Sequence, residues 1–577
     1  MTRRKLLLSV WVLCCAVGIR AQHASPTATP MAPPGAVNVP GVPLIAPGFR
    51  SDERALPYLG RVGVDMMRQR SLTMRDAIET ALTNNHDIEV SRKTEKMAEY
   101  DLKAAKGFYQ PRFTGQIYDE RSTTPNTSIF SNVFKTSQGS LVANTGLQAN
   151  SERFGTNFNG AFNNNDFTTN NPINTLSPQL NSSLGFSLTQ PLFRGRSFDL
   201  PRHNIEIAKR NIELTDTQFR QRSMETVTSV QKAYWDLTYA LRNLQVQQDA
   251  VRDARAQLEH NRRLVDEGQL APIDIVAAET QVANFEQAVY DALNTVNFAE
   301  NALKNLMAPD RSDPVWSEAL TPVEPVEVGV PDPVPSDAVE TAVENRPELE
   351  INQTQKAINA ADQRLYRELK KPQFDLIASY NSTGIGGALN PSFVNPLSPG
   401  TTCVDPNDPA CIRQRAFLQQ IGGTGSALSD IFQNKYPVFR FGVQFTIPLF
   451  GEDKTAAAQL GRSRVEAERL DEQRGQLEQN IQVEVRNALQ AVKTGEARLR
   501  SAAIARENTA KQYESEQRKL DNGQSDVYRV LERQTALAAA QSSELRARTE
   551  LNKAIADLQH ATGQSLTENG VDVVRSK

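Results

Sequence analysis

The sequence predicts an α+β membrane protein, internally duplicated, in which strands of barrel type are joined to very long coiled-coil helices. Three observations predict it: a chain written twice, paired segments with strand alternation, and long helical stripes heavy in charge. The two halves align in order. "DAIETALTNNHDIEV" (76–90) matches "DAVETAVENRPELEI" (337–351), and "GFYQPRFTG" (107–115) corresponds to "LKKPQFDLI" (369–377), setting Pro111 over Pro372. "LGFSLTQPLFRG" (184–195) matches "FGVQFTIPLFGE" (441–452), setting Pro191 over Pro448; "RRLVDEGQ" (262–269) matches "QRKLDNGQ" (517–524). Two copies cannot make a solenoid. The repeat is a duplicated half-domain, covering 71–308 and 336–563.

The chain opens on "MTRRKLLLSVWVLCCAVGIRAQ". A basic start, a short apolar run from Leu6 to Val17 and small Ala21 read as a secretory signal over 1–21. Residues 22–70 are rich in Pro, Ala, Gly and Val, a composition for an extended lead-in. Each half then repeats one grammar. A short helix begins near Met74 or Ser336, and a second runs to about Lys106 or Lys370. Strand pairs follow at about 112–122 with 182–191, and 373–382 with 439–448. The long helices, roughly 197–267 and 453–522, are each on the order of 100 Å. Shorter helices return over 272–307 and 525–562. A Pro-rich linker (309–335) joins the halves, and a tail covers 564–577.

The helices carry too much charge to cross a bilayer. In the second long helix Leu470, Leu477, Ile481, Val485, Leu489 and Val492 recur at helical spacing, a coiled-coil-like stripe. The strands carry a different pattern. Phe441, Val443, Phe445 and Ile447 alternate with Gly442, Gln444 and Thr446, and Leu184, Phe186 and Leu188 alternate with small polar residues. Segments of about ten residues, apolar on one face only, are the mark of an outer-membrane barrel. The intervening 123–182 and 382–437 read as long polar outer loops. "RFGTNFNGAF" (153–162) reads as an upward extension of the first hairpin, and "GIGG" as flexible loop. Four strands cannot close a barrel, and open edges in lipid leave backbone groups unpaired. Three copies would supply twelve strands.

Composition narrows function. With 64 basic and 67 acidic residues the chain offers no argument for nucleic acid. Five scattered histidines and no recognisable catalytic motif give no metal site, no cofactor and no enzyme. Cys403 and Cys411, in "CVDPNDPAC", read as a small disulfide-closed loop in an oxidising compartment, the alternative being two free thiols.

The duplication, the "TQPLFRG" and "TIPLFGE" junctions, and the breaks "DEGQLAPIDIVAAETQ" and "DNGQSDVYRVLERQTAL" make residues 71–563 resemble the outer membrane efflux protein family typified by the TolC channel tunnel. The resemblance implies a homotrimer in the cell outer membrane, with a twelve-stranded barrel continued by a periplasmic α-helical barrel. It implies an exit duct for efflux or type I secretion, served by an inner-membrane pump through a periplasmic adaptor protein. A periplasmic adaptor-like coiled-coil protein without its own channel is the alternative.

The breaks at 266–275 and 521–528 then read as the periplasmic tips of two helical hairpins. Gly268 and Gly523 suit the positive φ that ends a helix, and Pro272 suits the first turn of the next. With Gln269 and Gln524 they form the adaptor-docking tips that the resemblance implies. The same resemblance places an entrance constriction at Arg529 and Glu532, with Asp274 the repeat counterpart of Arg529. Arg529 departs from the family's acidic pattern. It either pairs with Glu532 or a neighbouring Asp274 to tie the entrance, or forms an ordinary solvated charge pair.

Overall fold

The computed structural model of the chain describes residues 60–126, 133–324, 329–393, 425–449 and 451–571, with scattered positions between 409 and 423. The signal, most of the lead-in, Cys403 and Cys411 lie outside the described residues.

The helical part follows the duplication. In the first half α1 (Met74–Asn84) and α2 (His86–Lys106) precede the long α3 (Leu200–Asp266) and the returning α4 (Pro272–Met307). In the second, α5 (Pro335–Asn345) and α6 (Pro347–Leu369) precede α8 (Lys454–Asp521) and α9 (Val527–Ala561). A short α7 (Ser426–Phe432) lies between, and α10 (Ser565–Glu568) follows. Both long helices start on an aspartate. Asp199 accepts from the Arg202 N–H at 3.0 Å, and Asp453 from those of Thr455 and Ala456. Such caps satisfy N–H groups that have no partner within the helix. The side of α8 read from the sequence is the packed one: Leu470, Ile481, Val485, Leu489 and Val492 are buried, mostly against α5 and α9. At Gly495 a Cβ would approach Leu551 Cδ1 to 3.3 Å, so the glycine lets α9 lie close.

The two hairpins meet along α3 and α9 through a polar seam. Lys553 reaches Asp236 at 3.0 Å, Ser542 donates to Asn243 at 2.8 Å, and Gln231 lies 3.2 Å from Gln559. A second core gathers Tyr234, Leu237, Val296, Leu303 and Met307 with Leu72 and Leu320. The last two belong to β1 (Asp65–Leu72) and β6 (Glu318–Pro322), paired in parallel. β6 lies inside the stretch read as linker, and β1 runs from the stretch read as lead-in into the start of the first repeat. Buried Glu300 holds them in place: it accepts from the Leu320 N–H at 2.8 Å and pairs with Arg61 at 3.0 Å and Lys304 at 3.5 Å.

The sheet corrects the expectation of four strands. Six antiparallel strands run in the order β2 (Arg112–Pro125), β3 (Lys135–Asn150), β4 (Asn157–Thr169), β5 (Leu176–Pro191), β7 (Gln373–Leu389) and β8 (Tyr436–Thr446). The stretch read as an outer loop, 123–182, therefore holds a whole additional hairpin. "RFGTNFNGAF" does not extend upward. Asn157 pairs with Thr189, so β4 starts at the helix-proximal end of the sheet. "GIGG" is not loop but the outer part of β7, where a Cβ on Gly384 would meet the Ala427 carbonyl of α7 at 1.9 Å. Gly384 and Gly386 make room for α7 and the turn before it, and Gly387 for the Pro178 carbonyl of β5.

Candidate channel wall and hairpin tips

Residues opposite each other in register share a face, so the pairings assign every side chain of the sheet. One face carries Phe113 and Ile117 of β2, Leu141 and Leu147 of β3, and Phe158 and Phe162 of β4. It continues through Leu184, Phe186 and Leu188 of β5, Ala378 and Tyr380 of β7, and Phe439, Phe441, Val443 and Phe445 of β8. Many of these are exposed, Ile117 by 77% and Phe441 by 78%. Towards the outer end the same face turns polar at Asp119, Asp166 and Ser182, and beyond that α7 covers it, with Ser382 donating to the Ile431 carbonyl at 3.1 Å.

The opposite face is polar and almost uncharged. Thr114, Gln116, Asn144, Asn163, Asn165, Asn181, Ser183, Thr383 and Gln444 lie on it, with Glu120 and Arg440 among its few charges. Asn163, Asn165, Asn181, Ser183 and Thr383 of this face line a hollow of about 640 Å³, together with Ser182 and Gly384. One apolar face and one polar face are what a barrel wall with a water-filled interior requires. Among the described residues no helix is long and apolar enough to cross a membrane.

At the far end of the helices the two breaks have one geometry. Gly268 has φ +73° and Gly523 φ +70°. The Gln269 N–H donates to the Leu264 carbonyl and the Gly268 N–H to that of Val265, at 2.8 and 2.9 Å. Gln524 and Gly523 repeat this with Lys519 and Leu520 at the same distances. This is the double-bonded glycine termination that satisfies the last carbonyls of a helix. No heavy atom stands near the place of a Cβ on either glycine, so backbone conformation alone calls for glycine.

The restarts differ. Pro272 opens α4, and Asp274 accepts from the Ala271 N–H at 3.2 Å. In the second tip the aspartate stands at the cap itself: Asp526 accepts from the Arg529 N–H at 2.9 Å, and its other oxygen pairs with Nε of the same arginine at 3.3 Å. Within the chain Arg529 therefore pairs with Asp526, three residues back, and not with Glu532. Asp526 and Glu532 are both three residues from Arg529, but the Asp526 carboxylate is already fixed at the helix start by its bond from the Arg529 N–H, and there it meets the guanidinium.

The structure brings the tips together. Leu270 and Ala277 of the first hairpin pack on Leu520, Val527, Val530 and Leu531 of the second. His260 Nε2 lies 3.0 Å from Asp521 Oδ1, a link between the hairpins that no motif announced. Ser525 donates to Glu516 and Lys519 pairs with it, holding that carboxyl below its usual range.

These features define a class: a duplicated protein that joins a two-faced antiparallel sheet to two helical hairpins packed tip to tip. The model of the outer membrane efflux protein family matches residues 77–308 and 338–564, the two repeats, and the chain belongs to that family. No curated protein matches it in sequence. Solved structures share its fold. CusC is 15% identical with a TM-score of 0.59 over 85% of this chain and 92% of its own. The outer membrane channel CmeC of Campylobacter jejuni is 14% identical, with 0.57 over 87% and 90%. The outer membrane channel MtrE of Neisseria gonorrhoeae, solved in its open state, is 15% identical, with 0.57 over 85% and 89%.

Proposed function

We propose that the chain forms a homotrimeric duct in the outer membrane, through which substrates delivered by an inner-membrane pump and a periplasmic adaptor protein leave the cell passively. The observation that carries this is the sheet: apolar outside, polar inside, and open at both edges. In lipid such edges need partners, and a second copy supplies them.

The helices support the same assembly. In the second repeat α6 packs on both α3 and α8, whereas its counterpart α2 packs on α3. The other side of α2 exposes Val90, Met97 and Tyr100, by 64%, 65% and 57%. On α4 Phe298 is exposed by 67%, and on α8 Val483 by 56%. A neighbouring copy would cover these side chains as α6 and α9 cover their counterparts within the chain.

The tips, with Gly268, Gln269, Pro272, Gly523 and Gln524, are the adaptor-docking end, and Asp274, Arg529 and Glu532 stand where the entrance narrows. Negative-stain electron microscopy of the mature protein in detergent tests the assembly. Hollow threefold particles at least about 130 Å long are expected, a ~100 Å helical shaft plus a ~30 Å membrane part. Dispersed monomers would return the adaptor-like alternative. In planar bilayers Arg529→Ala and Glu532→Ala should change conductance or cation selectivity; unchanged values remove both from the entrance.

A further inference from the structure

We propose that the wall has eighteen strands: three copies of this six-stranded sheet close on one another, with the β3–β4 hairpin crossing the bilayer in each. This rests on the trimeric reading above and departs from the twelve strands implied by the family resemblance.

The hairpin spans the full depth of the sheet. Its turn, 151–156, is fastened at the junction between sheet and helices. Gln190 Nε2 donates to the Phe154 carbonyl at 3.0 Å and Thr156 Oγ1 to Gln190 Oε1 at 2.5 Å, while Asn150 Nδ2 reaches the Phe108 carbonyl at 3.4 Å. Gly155, with φ +69°, lies so close to the segment after β5 that a Cβ would meet the Gly195 carbonyl at 2.8 Å. A plug or an outer flap has no reason to be tied there.

Its outward face suits lipid. Leu141, Ala143 and Leu147 of β3 and Phe158 and Phe162 of β4 continue the apolar face of their neighbours, and Phe158 stacks on Phe186 at 6.2 Å between ring centroids. Its inward face continues the amide-rich wall through Asn144, Asn163 and Asn165. Both properties suit a strand inside the barrel wall.

The seam can be read from the duplication. β5 and β7 join the first repeat to the second within the chain, with Leu188 opposite Ala378 and Phe186 opposite Tyr380. The aligned prolines carry Leu188 onto Phe445 and Ala378 onto Ile117. The seam between copies is therefore β8 against the next copy's β2, with Phe445 opposite Ile117 on the lipid side and Gln444 opposite Tyr118 inside. That register sets Arg440 opposite Ser122 and diagonal to Glu120, a distance at which long opposite charges interact. β2 leaves the helices and β8 returns to them, so the two edges meet antiparallel, as in the rest of the sheet.

Barrel diameter grows roughly linearly with strand number. Eighteen strands give a pore about one and a half times as wide as twelve, in the range where barrels hold open water.

Cryo-electron microscopy of the wild-type trimer in nanodiscs counts the strands directly. Eighteen crossings under threefold symmetry are expected. Twelve, with 135–169 outside the wall, would overturn this inference and leave the duct intact; absence of threefold particles would overturn the duct reading as well. The register is tested by disulfide formation in a background with Cys403→Ser and Cys411→Ser. Ile117→Cys with Phe445→Cys should give a covalent ladder up to trimer. A stronger ladder from Phe445→Cys with Gly115→Cys or Asp119→Cys would overturn the seam.

Discussion

At the residue scale, two buried groups make measurable commitments. Glu300 is fully buried and serves Leu320, Arg61 and Lys304 together. Removing it takes the carboxylate from Arg61 and the Leu320 N–H and leaves buried Lys304 with the Trp316 carbonyl in place of a counter-ion, so Glu300→Ala should lose about 3–5 kcal/mol in equilibrium urea unfolding followed by helical signal. His560 gives a pH dependence. Burial first, and then the Arg346 guanidinium, hold its imidazole below the usual value of 6.5. The unfolded chain therefore takes up a proton in mild acid while the folded chain does not. By linkage this contribution is present in full above the unfolded value and is lost as pH falls through the folded one. His560→Gln should flatten the fall in melting temperature between pH 7 and 5 relative to wild type; equal slopes would exclude the histidine as its source.

At the scale of elements, the long helices were legible and part of the sheet was not. Gly268 and Gly523 announce the tips because a positive φ and a following helix start leave few other residues possible there. β8 is legible because Phe441, Val443 and Phe445 alternate without interruption. β3 and β4 hide because their outward positions include Ala143, Thr145, Gly160 and Asn164, and their inward ones are mostly Asn, Ser and Gln. A strand whose polar face is amide and whose apolar face is diluted has a loop's composition. What makes it a strand is its neighbours, through bonds such as Ser140 to Asn165 at 2.8 Å and Ser182 to Asn164 at 2.5 Å. The Arg529–Asp526 pair was missed for a related reason: the cap at Asp526 fixes its partner, and only local geometry shows the cap. Since β2 and β5 run in opposite directions, they can pair if the hairpin between them is removed. Deletion of 133–169 should leave a folded trimer whose single-channel conductance drops if the barrel limits flow. A trimer that no longer assembles would show the hairpin to be essential to the wall rather than an insertion in it.

At the scale of the whole molecule, the duplication explains both what is complete and what is open. Inside the chain, α6 fills the groove between α3 and α8, and β7 covers the edge of β5. The same two surfaces recur at the ends of the chain uncovered, as α2 with its exposed Met97 and as the bare edges of β2 and β8. In the proposed ring, copies of the chain would cover these open surfaces. The fastening of the 151–156 turn beside Gly195 adds a rule of parity. Because that turn returns to the helix-proximal side, the inserted pair begins and ends where β2 and β5 would have met, and α3 still starts on the same side of the wall. A chain built this way can gain or shed crossings only two at a time. A single extra strand would send α3 and the whole of the second repeat out of the other side of the wall, so in the proposed trimer pore width would change in steps of six strands while the helical end stays fixed.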